Sequence, residues 1–167
     1  INPYRVRAIG SDRELASSNP AVKAVRSGSG MAIQYSGGIF YNPASADARN
    51  LITQGVIELI ENYDIDGIQF DDYFYPYGGT TNQDAASVAK YKPADMNVGD
   101  WRRQNVNKMI KAVYDTIQSV KPWVTFGVSP FGIWTTDSSV ASKRGITLPY
   151  NITGGNMYAE IYCDPVA

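Results

Sequence analysis

Two long amphipathic helical patterns, each followed within a few residues by a short apolar stretch, constrain this chain more than any other feature. From about Pro43 or Ser45 to Tyr63, the residues Leu51, Ile52, Val56, Leu59, Ile60 and Tyr63 recur at steps of three and four. That period predicts a helix with one apolar face. The segment DIDGIQF then switches to the period of a buried strand and ends near Asp71. A second helix is predicted from Asp100, read as the N-cap after Gly99, with Trp101, Val106, Met109, Ile110, Val113, Tyr114, Ile117 and Val120 as its stripe. Pro122 ends it, and WVTFGVS is the next strand. Helix–strand–helix–strand with short returns implies right-handed parallel units, as in an α/β barrel or a doubly wound sheet. A whole barrel needs at least ~200 residues and typically ~250, whereas this chain has 167. The expected fold is therefore a single domain, 1–167, forming part of a larger (β/α)8 TIM barrel cut at both ends.

The remaining segments are read more coarsely. INPYRV reads as the tail of a strand running into a loop, and Asn19-Pro20 as the start of a short helix through Val25. Gly28, Gly30, Gly37 and Gly38 mark a loop, with a brief extended piece over Gly38–Tyr41. Tyr73–Gly99 is a long aromatic and polar connection, of a length that in compact domains usually carries function.

Two absences narrow the chemistry. With no histidine, the chain supplies no Ser-His-Asp triad, histidine proton shuttle or histidine-ligated zinc. With one cysteine, Cys163, it forms no internal disulfide and no Cys-x-x-Cys motif, and Cys163 reads as a small buried hydrophobe. Carboxylates are then the groups best suited to metal-free hydrolysis. A formal net charge of −1 leaves no basic footprint for nucleic acid. No apolar run reaches the length of a membrane span. No signal-like N-terminus is visible, and the chain begins at Ile1, as it would after removal of a leader. No cofactor and no metal are expected.

The carboxylate doublet Asp71-Asp72 lies inside QFDDYFYP. Strand side chains alternate, so Ile68 and Phe70 should face the helices while Gly67, Gln69 and Asp71 face the opposite side. In WVTFGVS the same logic sends Val124, Phe126 and Val128 to the helices and Thr125, Gly127 and Ser129 inward. Asp71 then ends an inward row, where barrel enzymes keep their active sites. Asp72 points elsewhere, and anchors the loop or orients a neighbour. The rings that follow, Tyr73, Phe74, Tyr75 and Tyr77, with Trp134 after the next strand, suit sugar faces, while Phe74 reads as core. No Lys or Arg lies between Asp66 and Ala89, which disfavours a nucleic-acid surface.

The blocks Asn2-Pro3-Tyr4-Arg5, Tyr41-Asn42-Pro43, Asp66 through Pro76 and Ser129-Pro130-Phe131-Gly132-Ile133-Trp134 together resemble glycosyl hydrolase-like family 10. These are bacterial TIM-barrel proteins of the cell envelope. The resemblance implies a glycosidase acting on a bacterial or environmental polysaccharide, peptidoglycan glycan strands among them. It also implies an exported or lipid-anchored location, and it aligns INPYRV, DGIQFDD and WVTFGVS with about the third, fourth and fifth barrel strands. Family-18 chitinases carry D-G-x-D-x-D-x-E on the fourth strand. Laid on Asp66-Gly67, the final Glu of that motif falls on Tyr73, which argues against chitinase chemistry. Retaining α-glycosidase barrels instead place a nucleophilic Asp where Asp71 falls.

The expected catalytic residues are thus Asp71, as nucleophile or acid/base, and Asp72 beside it. Expected substrate-binding residues are Asn2, Tyr4, Arg5, Gln69, Tyr73, Tyr75, Ser129 and Trp134. Arg5 either bonds substrate or pairs with Asp72, the second being favoured. Glu160 and Asp164 are candidates for the second carboxylate, which a strand outside this chain would also supply. Two rivals stand beside this reading: a carbohydrate-binding barrel without turnover, and a metal-dependent hydrolase using Asp66, Asp71 and Asp72.

Overall fold

The computed structural model describes residues 1–11, 13–77 and 82–166. Its core is built where the two long helices cover one face of a parallel strand pair. Helix α2 (Ala46–Asn62) starts at Ser45, whose hydroxyl accepts the Ala48 N–H at 3.3 Å. It ends at Tyr63, and β4 (Gly67–Phe70) follows. Helix α4 (Val98–Val120) leads through a short turn into β5 (Thr125–Val128). The two strands run parallel and in register from Gly67↔Thr125 to Phe70↔Val128. Ile68 and Phe70 face α2 and α4, where Val56, Ile60, Val106, Met109, Val113 and Ile117 complete the main cluster. The Phe126 ring meets Phe70 edge-on, with centroids 5.1 Å apart.

Asp100 is not the cap of α4. Asn97 holds that place, its side-chain oxygen accepting the Asp100 N–H at 2.8 Å. Asp100 lies in the first turn instead, where the helix dipole favours a carboxylate. The Arg103 guanidinium bonds it at 2.6 Å and holds its carboxyl below the usual range.

INPYRV divides between two sheets. Only Ile1 lies beside β4: its nitrogen donates to the Gln69 carbonyl at 2.9 Å, and its carbonyl accepts the Asp71 N–H at 3.2 Å, the hydrogen-bond pattern of a parallel neighbour. Asn2-Pro3 then turns the chain, and β1 (Arg5–Arg7) joins a separate antiparallel sheet of order β1-β3-β2, built with β2 (Ala32–Tyr35) and β3 (Gly38–Tyr41). The expectation that INPYRV forms a barrel strand is therefore corrected for Arg5–Arg7. Strand β2 arises inside the stretch read as loop. Its two-residue turn, Ser36-Gly37, has positive φ at both positions, as a type I′ hairpin requires. Helix α1 (Pro20–Ser27), capped by Asn19, packs Ala21 and Ala24 against Ala32 and Ile39 of this sheet.

The long connection after β4 contains α3 (Ala85–Tyr91), while α5 (Ser138–Lys143) and α6 (Met157–Glu160) follow β5. The architecture is mixed α/β with two small sheets, and the described residues close no barrel. Ile60 is fully buried between the helices and β4. Ile60→Ala in the full-length protein should cost about 2–5 kcal/mol of stability through the cavity it leaves, read as a lower urea midpoint at unchanged slope.

Candidate active site

Burial of Ile68 and Phe70 leaves Gln69 exposed between them, and the same alternation carries the Asp71 side chain out to 61% exposure. Thr125 on β5 and Ser129 just past its end are likewise open. The Gln69 amide donates across the strands to the Ser129 hydroxyl. Gln69, Asp71 and Ser129 therefore form a polar row at the C-terminal end of the parallel pair, on the face away from the helices.

The next residue reverses direction. Asp72 turns to Arg5, and the two side chains make an ion pair, half-sheltered at 17% and 34% exposure. Asn2 lies between the carboxylates: with its amide turned to satisfy both neighbours, its nitrogen donates to Asp71 Oδ1 and its oxygen accepts from Arg5 Nη1 at 3.1 Å. Asp71 Oδ1 also accepts the Asp72 N–H at 2.7 Å, whereas nothing among the described residues bonds its Oδ2. The four residues form a relay, Asp71–Asn2–Arg5–Asp72, with a free carboxylate oxygen at one end. Two expectations change, and the favoured alternative for Arg5 is realised. Asp72 is a paired anchor, not a free catalytic acid, because the Arg5 guanidinium occupies it. Asn2 is taken up by the carboxylates and not left open to substrate, and Arg5 makes the expected pair with Asp72.

The aromatic platform expected after the doublet is also corrected. Tyr4, Tyr73, Tyr75 and Trp134 are buried in the main cluster together with Phe74, so their faces meet protein, not sugar. Burial raises the phenol pKa of Tyr4, Tyr73 and Tyr75 far above its ordinary value. The ring left open is Tyr77, at 45% exposure, standing edge-on to Phe131. Partial burial raises its pKa; Arg5 opposes that rise and Asp71 adds to it, and Tyr77 lines a small cavity together with Arg5 and Asp72.

A buried network fixes the loop that carries these groups. Arg102 on α4 grips both oxygens of Asp84, at 2.9 and 2.5 Å, and donates to the Tyr162 hydroxyl at 2.5 Å. Its guanidinium lies over the Tyr162 ring, and that ring packs edge-on to Tyr75. The Tyr75 N–H reaches the Ile161 carbonyl at 3.3 Å, tying the aromatic run to the C-terminal segment. Sequence reasoning missed Asp84 and Arg102; an acid just before α3 and an Arg in the buried stripe of α4 were the available signal.

Of the two in-chain candidates for a second carboxylate, the mostly buried Asp164 pairs with Arg144, while the exposed Glu160 accepts the Asn156 N–H at 3.0 Å through one oxygen and keeps the other unbonded among the described residues. Cys163 is fully buried and burial pushes its thiol up to about 11, so the thiolate is not formed at neutral pH. Among the described residues no three acids, or acids with Cys, gather as a metal site, which weighs against Asp66, Asp71 and Asp72 acting together on a metal.

The sequence profile described as Glycosyl hydrolase-like 10 matches residues 9–164. This chain belongs to that family. Among its curated relatives, glycosyl hydrolase YngK of Bacillus subtilis (strain 168) is 40% identical over 138 residues, covering 80% of this chain and 26% of its own length. Glycosyl hydrolase DigH of Escherichia coli (strain K12) is 37% identical over 172 residues, covering 98% of this chain and 37% of its own length. The chain thus spans between about a quarter and two fifths of these relatives. Family membership makes it glycosidase-like.

The Arg102–Asp84 pair supplies a direct test of how the site is held. Asp84→Ala should destabilise the full-length protein by about 3–5 kcal/mol, because it strands a buried guanidinium. Replacing both partners with apolar residues of similar volume should recover most of that loss, with chemical denaturation as the readout.

Proposed function

We propose that this chain carries part of the active site of a polysaccharide-cleaving glycoside hydrolase, with Asp71 as the reacting carboxylate, nucleophile or acid/base. The observation that carries this reading is the asymmetry of the doublet: Asp72 is neutralised by Arg5, while Asp71 keeps an unbonded oxygen on the open face. In (β/α)8 enzymes reacting groups lie at the C-terminal ends of the strands, and β4 and β5 are read here as two strands of such a barrel. Asn2 holds Asp71 through one oxygen, which aims the other at the substrate. Gln69 and Ser129 line the same face as hydrogen-bonding groups for sugar hydroxyls, and Tyr77 supplies an exposed ring near the Arg5–Asp72 pair.

Hydrolysis needs a second carboxylate, ~5–5.5 Å from Asp71 in a retaining enzyme or ~6.5–9.5 Å in an inverting one. Asp72 and Asp164 are paired, while the exposed Glu160 keeps one oxygen unbonded, so the second carboxylate is Glu160 or a residue of a strand outside this chain. In a retaining reaction Asp71 attacks the anomeric carbon while the second acid protonates the leaving oxygen, and water then releases the glycosyl group. A bacterial or environmental glycan is the proposed substrate, peptidoglycan strands included, with an exported or envelope-anchored location.

The pairing of Asp72 with Arg5 and of Asp164 with Arg144 also favours one alternative, a carbohydrate-binding barrel without turnover. Asp71→Asn in the full-length protein separates the two. Release of reducing ends should fall by about 10²–10⁴-fold with an unchanged near-ultraviolet circular dichroism spectrum. An undiminished rate excludes Asp71 as the reacting group, and affinity without release in the wild type supports the binding reading.

A further inference from the structure

Past the C-terminal end of β5, beyond Ser129, the chain folds back on itself around a cavity of about 440 Å³. Gly132 and Ile133 border one side of it, residues 147–149 and 151–153 border the other, and the largely buried Trp134 lies beneath. We propose that this cavity is a subsite for an uncharged sugar unit of the glycan. The proposal rests on the carbohydrate reading given above, but not on turnover by Asp71.

The first argument is the chemistry of the walls. No residue that borders the cavity is charged. Residues 145–159 contain no Asp, Glu, Lys or Arg in a chain whose charged share is 19%, so this neutrality belongs to the wall and not to the composition. A charged ligand would give up hydration here without a counter-ion. Ile133, Leu148 and Ile152 offer apolar surface to the C–H face of a sugar ring. Thr147, Asn151 and Thr153 are exposed, and nothing among the described residues bonds their side chains, which leaves two hydroxyls and an amide for sugar hydroxyls. Apolar walls with a few polar groups, in about 300–1,000 Å³, are the usual make-up of small-ligand sites.

The second argument is that the cavity is preformed and continuous with the carboxylate end of the sheet. Thr135 is fully buried; its hydroxyl donates to Asn156 Oδ1 at 3.2 Å and accepts the Asp137 N–H at 3.1 Å. The Trp134 carbonyl accepts the Tyr158 N–H at 2.7 Å. Gly154 has φ +143°, and Ile133 side-chain carbons lie 3.5 Å from where a β-carbon would stand, so a glycine lets the two loop segments close on each other. Walls held in this way lose little freedom when a ligand enters. Exposed rings mark both approaches, and such rings suit sugar faces. Tyr150 is fully exposed and lines a neighbouring cavity across Leu148 and Pro149. Tyr77 lines the small cavity at Arg5 and Asp72 and stands edge-on to Phe131, with centroids 6.1 Å apart, directly before the Gly132 wall.

Calorimetric titration of the full-length protein with the tetrasaccharides of glucose, N-acetylglucosamine and galacturonic acid, in the wild type and in Asp71→Asn, tests the proposal. At least one neutral tetrasaccharide should bind saturably to both proteins, and the galacturonate should bind about tenfold or more weakly. Tyr150→Ala and Asn151→Asp change exposed side chains and should each weaken the neutral ligand by about tenfold, with an unchanged near-ultraviolet circular dichroism spectrum. Equal affinity in the wild type and both variants, or tighter binding of the galacturonate, overturns the subsite and leaves the carbohydrate reading standing. Binding of none of the three also overturns the subsite, and release of reducing ends from polysaccharide then decides the carbohydrate reading by itself.

Discussion

The burial of Ile68 and Phe70 against α2 and α4 is the contact on which the rest of the structure depends. Strand side chains alternate, so once these two residues enter the helix interface the directions of Gln69 and Asp71 follow. Register with β5 then brings Ser129 beside Gln69. A one-residue slip would turn Asp71 into the apolar layer, where an ionised carboxylate is strongly disfavoured. The same apolar contact that stabilises the domain therefore also places its open acid.

The second constraint is electrostatic and joins the two sheets. Arg5 belongs to β1 of the antiparallel sheet, while Asp72 ends the segment after β4 of the parallel pair. Their ion pair is partly sheltered, which makes it stronger than a fully solvated pair. With Asn2 inserted between Arg5 and Asp71, this cation neutralises one acid and, through the amide, orients the other. Two adjacent aspartates thus take different roles because their surroundings differ, not their chemistry.

Behind this relay, the aromatic run works as packing. Tyr75 meets Tyr162, Tyr162 meets Arg102, and Arg102 is clamped to Asp84. The loop that bears Asp72 is held from below by a buried charge pair that tolerates little displacement, since either partner alone would be left uncompensated. That rigidity suits the role proposed for Asp71.

The amino-acid pattern by itself determined the two long helices, the two strands that follow them, and the parity that separates Asp71 from Asp72. Those features rest on local periodicity, which a single segment records without reference to the others. It also favoured the Arg5–Asp72 pair while leaving a substrate contact for Arg5 open, and the three-dimensional structure forms the pair. Three features were decided only in three dimensions: the departure of Arg5–Arg7 into another sheet, the burial of Tyr4, Tyr73, Tyr75 and Trp134, and the choice of Asn97 over Asp100 as cap. An aromatic residue reads the same whether its face meets sugar or another ring; which neighbour it meets is set by residues such as Asp84 and Arg102, distant in sequence and brought together only by the packing of α4 on the strand pair.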